Sequence, residues 1–196
     1  MAKIKSNRNS TRKEVIITEA AKLFREKGFS ATSMRDLAEH VGVEAASLYN
    51  HISSKAEILQ EICFKVANLF MTHIEEVDSS PQSAIAKIEA ILRFHIRQMI
   101  EHYEEVYVSD REWKHLTEPY MQNMQSQRRA YRQRIALVIE EGIRKGEIKA
   151  IDAPTAVLIM LHAVSGIESW HRSTKKIEGH VLEDNMVMIL VEGLKK

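Results

Sequence analysis

Apolar residues recur at helical spacing along almost the whole chain, which predicts a succession of α-helices and little else. In residues 12–27, RKEVIITEAAKLFREK, Ile16, Ala20, Leu23 and Phe24 share one face, and Gly28 ends the run. Thr32 and Ser33 offer side-chain oxygens to the next helix start, and Asp36 follows Ser33 at the spacing of a capping box. Met34, Leu37, Ala38 and Val41 line one face of that helix, and Gly42 supplies the positive φ needed to leave it. A second short helix over about 44–51 turns Leu48 and Ile52 inward, leaving Ala45, Ser47, Tyr49, Asn50 and His51 outside.

From Lys55 to Val77 one long helix carries Ile58, Leu59, Ile62, Val66, Leu69 and Phe70. Asp78, Ser79, Ser80 and Pro81 break it, and the next helix, over about 82–102, is lined by Ile85, Ile88, Leu92 and Ile96. Tyr103 to Thr117 is less regular; Pro119 restarts a long helix that ends at GIRKGEI, with Gly146 as its cap. Asp152 caps a further helix with Pro154 in its first turn, and residues 156–164, AVLIMLHAV, are apolar almost all round. The last helix, about Glu178 to Leu194, shows Leu182, Met186, Ile189 and Leu190 as a stripe widened by Val187 and Val191. The prediction is an all-α protein of about nine helices.

The capped helix, glycine turn and second short helix of residues 33–55 have the sequence form of a helix-turn-helix, and the helix over 12–27 would close a three-helix core around it. A plain helical hairpin is the alternative that spacing leaves open. An outer face of small and polar residues suits the DNA major groove, since the backbone can approach while hydroxyl and amide groups meet base edges. Ala45 or Ala46 would touch a thymine methyl and Asn50 would reach adenine; Tyr49, His51 and Lys55 suit phosphate. Glu44 either accepts from a cytosine amino group or favours the positive end of the recognition helix.

The first sixty residues resemble the DNA-binding domain of TetR-family transcriptional regulators. The matching pieces are the helix ending LFREKGF, the capped TSMRDLAEHVGV, and VEAASLYNHISSKAEIL with its Leu-Tyr-x-His positions and following lysine. Ile52 departs from the aromatic residue usual there. The resemblance implies that Thr32, Ser33, Tyr49, His51 and Lys55 hold phosphates, while Glu44, Ala45, Ala46 and Asn50, beside Ser47, face bases. It implies a DNA-binding domain over residues 1–54 and a larger effector-binding and dimerisation domain over 55–196. The last two long helices, from about 152 to 194, would build a four-helix dimer interface through Met160, Ala163, Val164, Ile167, Met186, Ile189 and Leu190. The partners implied are a palindromic duplex operator, a second copy of the chain and a small lipophilic effector.

An effector pocket would lie among the inward faces of the middle helices, where Phe70, Phe94, Met99, Tyr103, Tyr107, Trp113, Met124 and Tyr131 concentrate, although core packing explains such residues equally well. REWKHL at 111–116 and RRAYRQRI at 128–135 resemble the family's sensors of acyl-CoA thioesters, with Arg111, Arg128, Arg129 and Arg132 placed to meet phosphates. Solvated ion pairs with glutamate are the competing account of those arginines. A partner protein in place of a small effector is the alternative reading of the second domain.

Composition adds limits. The 196 residues, 44% hydrophobic and 28% charged, suffice for one large or two small domains. A formal net charge of +1 hides a basic start, where Lys3, Lys5, Arg8, Arg12 and Lys13 precede Glu14; Arg12 and Lys13 are the better phosphate candidates and residues 1–8 suit either an arm or a solvating tail. No signal peptide or run of about 18 apolar residues is present, so a cytoplasmic protein is expected. The single Cys63 reads as a buried thiol. Nine histidines without metal-ligand spacing, a lone cysteine without an oriented base and no glycine-rich phosphate loop predict neither catalysis, nor a metal, nor a cofactor.

Overall fold

The structure, a computed structural model, describes residues 11–196. Lys3, Lys5 and Arg8 of the basic start lie outside them. Among the described residues the chain forms ten α-helices: α1 (Arg12–Lys27), α2 (Met34–Val41), α3 (Ala45–Tyr49), α4 (Lys55–Ser79), α5 (Ala84–Glu101), α6 (Tyr103–Arg111), α7 (Tyr120–Lys145), α8 (Ala153–Ser165), α9 (Ile167–Arg172) and α10 (Gly179–Glu192). Only Gly166 separates α8 from α9, so the expected nine-helix count differs by that one interruption. The irregular stretch after Tyr103 resolves into α6 and a 3-10 turn over Trp113–His115. No helix among the described residues is long and apolar enough to cross a membrane.

Local chemistry sets the helix ends. Ser33 Oγ accepts from the Asp36 amide at 3.1 Å while Asp36 Oδ2 accepts from the Ser33 amide at 2.8 Å, the expected capping box of α2. Thr11 and Glu14 form a second box at the start of α1, on a Thr-x-x-Glu spacing. Asp152 accepts from the Thr155 amide at 2.8 Å, and Gly42 and Gly146 take φ of 76° and 75° at the ends of α2 and α7.

The chain divides into two compact units. The first contains the helix-turn-helix but does not close at residue 54: it runs through Ala67 and also takes Glu104–Gln125. The physical reason is a shared core, since Val108, Leu116 and Met124 are buried with Phe24, Leu37, Leu48, Ile52, Ile58, Leu59, Ile62 and Cys63. Each such aliphatic side chain contributes about 1.5–3 kcal/mol by leaving water. The second unit comprises Asn68–Tyr103 and Ser126–Lys196, with α5 packed against α8, α9 and α10.

Within the second unit, Gly142 of α7 lies where a Cβ would stand 2.8 Å from the Ala84 Cβ and 2.6 Å from the Ile148 Cδ1. The isoleucine tip can give way but the Ala84 methyl cannot, so Gly142→Ala is expected to destabilise the protein by about 1–3 kcal/mol. Thermal or urea denaturation followed by circular dichroism checks this; an unchanged midpoint would contradict the close approach.

Candidate nucleic-acid interface and effector region

The outer side of α2 and α3 exposes most of the residues that helical spacing turns away from the core. Leu48, fully buried, anchors α3 to the core, and helical geometry then turns Tyr49, Ala45, Ala46 and the following Asn50 and His51 outward, with Tyr49 53% exposed and Ser47 half-buried. α3 has five residues, Ala45–Tyr49, shorter than the expected 44–51. Glu44 stands at its N-cap position in extended backbone, exposed, and its carboxylate makes no capping hydrogen bond. Asp36 is held down at about 2 by hydrogen bonds from the Ser33 hydroxyl and amide, with Lys27 at 3.5 Å adding to the effect. The cap therefore stays charged through the neutral range.

Three basic or polar residues are placed differently from expectation. Thr32 is 2% exposed and its hydroxyl donates to the Gly28 carbonyl at 2.9 Å, so its side chain belongs to the turn. Lys13 is held by Glu61 at 2.6 Å and Glu57 at 3.2 Å, and the hydrogen bond to Glu61 leads in raising its pKa. The Lys55 Nζ donates to the carbonyls of Thr32 at 2.6 Å, Phe29 at 2.8 Å and Ser30 at 3.3 Å, which commits all of its hydrogens. A phosphate contact by Lys55 would mean leaving those carbonyls. Arg12 is exposed, as is Ser33; Arg35, on the exposed side of α2, is a cation the sequence reading passed over. Its signal was a basic residue just inside a capped helix start.

The residues expected around an effector fall into two groups. In the second unit Phe70 meets Phe94 edge-on at 5.2 Å, His95 at 4.4 Å and Tyr131 at 5.8 Å, and His73 stacks on Phe94 at 3.9 Å. His95 Nε2 lies 2.6 Å from the Tyr131 hydroxyl. Burial, and then the neighbouring His73, push His95 down to about 3; burial lowers His73 and raises Tyr131. The ring cluster is uncharged at neutral pH. Met99 and Tyr103 gather instead at His171, whose Nε2 is 2.7 Å from the Met99 carbonyl and whose ring stacks on Tyr103 at 4.0 Å. Arg128 is half-buried on α7. In the first unit Met124 is core, Tyr107 and Trp113 pack against that core, and the Arg111 guanidinium lies 5.8 Å from the Tyr107 ring. A cleft of about 480 Å³ in the first unit is lined by Ser53, Glu57, Gln60, Glu61, Thr117 and Tyr120 among others, and none of the expected effector residues lines it. His73 and His95 were missed because histidine scores as polar in a periodicity reading.

The dimer residues also need correction. Met160, Val164 and Ile167 are buried, while Ala163, Met186 and Leu190 are half-buried. α8 packs against α5 with Val157, Met160 and Val164 buried, and Leu158 and Ile159 are exposed. On α10 the inward line is Glu183, Val187 and Val191, leaving Met188 and Ile189 outside, the latter 67% exposed. Of the expected interface residues only Ile189 is fully presented.

Residues 16–62 match the family model described as bacterial regulatory proteins, tetR family, and residues 81–194 match the one described as tetracyclin repressor-like, C-terminal domain. The chain belongs to the TetR family. This TetR-family chain is 24% identical over 190 residues to the HTH-type transcriptional repressor KstR2 of Rhodococcus jostii, covering 94% of this chain and 92% of that protein. The fold matches the solved ketosteroid transcriptional regulator KstR2 of Mycobacterium tuberculosis with a TM-score of 0.88 at 20% identity, covering 97% of each chain. It also matches AibR, solved with isovaleryl coenzyme A and operator DNA, with a TM-score of 0.80 at 22% identity, covering 92% of this chain and 98% of that one.

For this TetR-family regulator the exposed positions give distinct expectations. Tyr49→Ala should weaken binding to operator and random duplex by similar factors. Asn50→Ala should cost about 1–3 kcal/mol on the operator and little on random duplex. Fluorescence anisotropy on both DNAs measures this; parallel losses for Asn50→Ala would remove it from base reading.

Proposed function

We propose that the protein is a homodimeric transcriptional repressor that leaves a palindromic operator when a small lipophilic effector binds, with acyl-CoA thioesters as the class to test first. The observation that carries the DNA-binding part is the exposed face of α2 and α3, small and polar around Tyr49 and Asn50 on a buried Leu48 anchor. Direct DNA contact is assigned to residues 1–54, and effector binding with dimerisation to 55–196. The effector class is supported by the likeness to AibR, whose structure contains isovaleryl coenzyme A, and by Arg111, Arg128, Arg129 and Arg132 in segments similar to acyl-CoA sensors. An effector that shifts the operator-competent population 100-fold needs about 2.7 kcal/mol of differential binding, within reach of one buried apolar group.

Selection of bound sequences from random duplex DNA, repeated with acyl-CoA thioesters present, tests the proposal. A palindrome released by a thioester is the expected result. A palindrome indifferent to every thioester would remove the effector class, and no enriched site would favour control through a partner protein.

Dimerisation is assigned to the exposed apolar residues of α8 and α10, namely Leu158, Ile159, Met188 and Ile189, in place of the buried Met160, Val164 and Ile167. Ile159→Glu combined with Ile189→Glu should give a folded monomer by sedimentation velocity and lose high-affinity operator binding. A dimer that persists would move the interface elsewhere.

A further inference from the structure

The Phe29 ring, buried in the turn between α1 and α2, is held from three separate parts of the chain. Phe24 of α1 meets it edge-on at 5.2 Å, and the Lys55 ammonium at the start of α4 stands 4.5 Å from its centroid. His115, in the 3-10 turn after α6, stacks on it at 5.4 Å with the planes 28° apart. The Phe29 carbonyl is itself one of the three that receive Lys55. The ring is therefore the point where the 113–116 turn meets the turn that launches α2 and, through it, α3.

His115 is fixed at its own end. Its Nε2 lies 3.3 Å from Glu112 Oε2, its amide donates to the Glu112 carbonyl at 2.9 Å, and the next residue, Leu116, is buried in the same core as Leu37 and Leu48. The contact of the ring with the α1–α2 turn is its stack on Phe29.

We infer that His115 is a positioning residue for operator recognition, holding Phe29 against Lys55 so that the α1–α2 turn keeps the register in which α3 presents Tyr49 and Asn50. The inference rests on the DNA-binding reading above and goes beyond it, because it gives a residue far along the chain a share in sequence discrimination. The 113–116 turn thereby becomes a place where any displacement within this unit detunes the recognition helix.

The test compares wild type with His115→Ala, His115→Gln and His115→Phe by anisotropy on the selected operator and on random duplex over a salt series. Loss of an aromatic stack at a half-solvated site predicts a fall of about threefold to tenfold in operator affinity for His115→Ala and His115→Gln. Operator affinity should fall several-fold further than affinity for random duplex, and the salt slope should stay at the wild-type value, since no cation is removed. His115→Phe, which keeps the stack and drops the Glu112 contact, should restore operator affinity. Equal affinities for all four proteins, a His115→Phe variant as weak as His115→Gln, or a parallel loss on random duplex would each overturn the inference. Should His115→Ala unfold, the Gln and Phe variants decide. A wild-type chain with no operator preference would instead overturn the DNA-binding reading itself.

Discussion

The Lys55 ammonium sits at the first residue of α4, where the helix dipole disfavours a cation by about 0.3–1 kcal/mol. Three carbonyls from the α1–α2 turn outweigh that, since charge-assisted hydrogen bonds contribute about 1.5–3 kcal/mol each before solvent screening reduces them. Carbonyls in a turn need partners, and here one side chain meets three of them while Thr32 satisfies Gly28. With the turn tied to α4, the capped start of α2 has a fixed origin, and α3 follows from Gly42 and the burial of Leu48. The remaining ion pairs of this unit reinforce the same junctions: Lys13 joins α1 to α4, and Lys65 of α4 pairs with the buried Glu105 of α6 at 2.8 Å.

The second unit solves a similar problem with the opposite sign. Glu183 is 7% exposed and sits on the inward line of α10, where burial alone would raise its pKa; hydrogen bonds from Arg97 and Arg93 of α5 nevertheless hold it below the usual glutamate value. Arg93 reaches it at 2.9 Å and also takes Asp184 at 2.8 Å, so α10 is locked in rotation about its axis. A buried carboxylate deprived of such partners would be costly, which makes this rotation hard to change. The lock decides which apolar side chains of α10 remain outside.

What the sequence made legible was local. Capping boxes, glycine exits and the long amphipathic stripes follow from neighbours within a few residues, and Ser33 with Asp36, Gly42, Gly146 and Asp152 all behave as their types dictate. The errors came from residues whose type suggests the wrong side. On α10 the expected stripe ran through Leu182, Met186, Ile189 and Leu190 with Val187 and Val191 beside it, whereas the inward line is Glu183, Val187 and Val191, because the two arginines of α5 draw a carboxylate inside. The carbonyls that receive Lys55 lie more than twenty residues away and carry no sequence signal, so its place in the turn was not legible. His73 and His95 hid in the same way, as polar residues inside an apolar ring cluster. The unit containing the helix-turn-helix extended past residue 54 because Val108, Leu116 and Met124 return to its core from a later part of the chain.

At five residues, α3 is far below the roughly 12–15 that an isolated helix needs to persist in water. Its order is borrowed from Leu48 and Ile52, both fully or nearly fully buried. The order of α3 is thus tied to that of the core, and its backbone entropy is spent at folding, before any ligand arrives. If this face meets a duplex as proposed, association would immobilise chiefly the exposed side chains of Tyr49, Asn50 and His51, a penalty of a few rotamers and not of a chain segment.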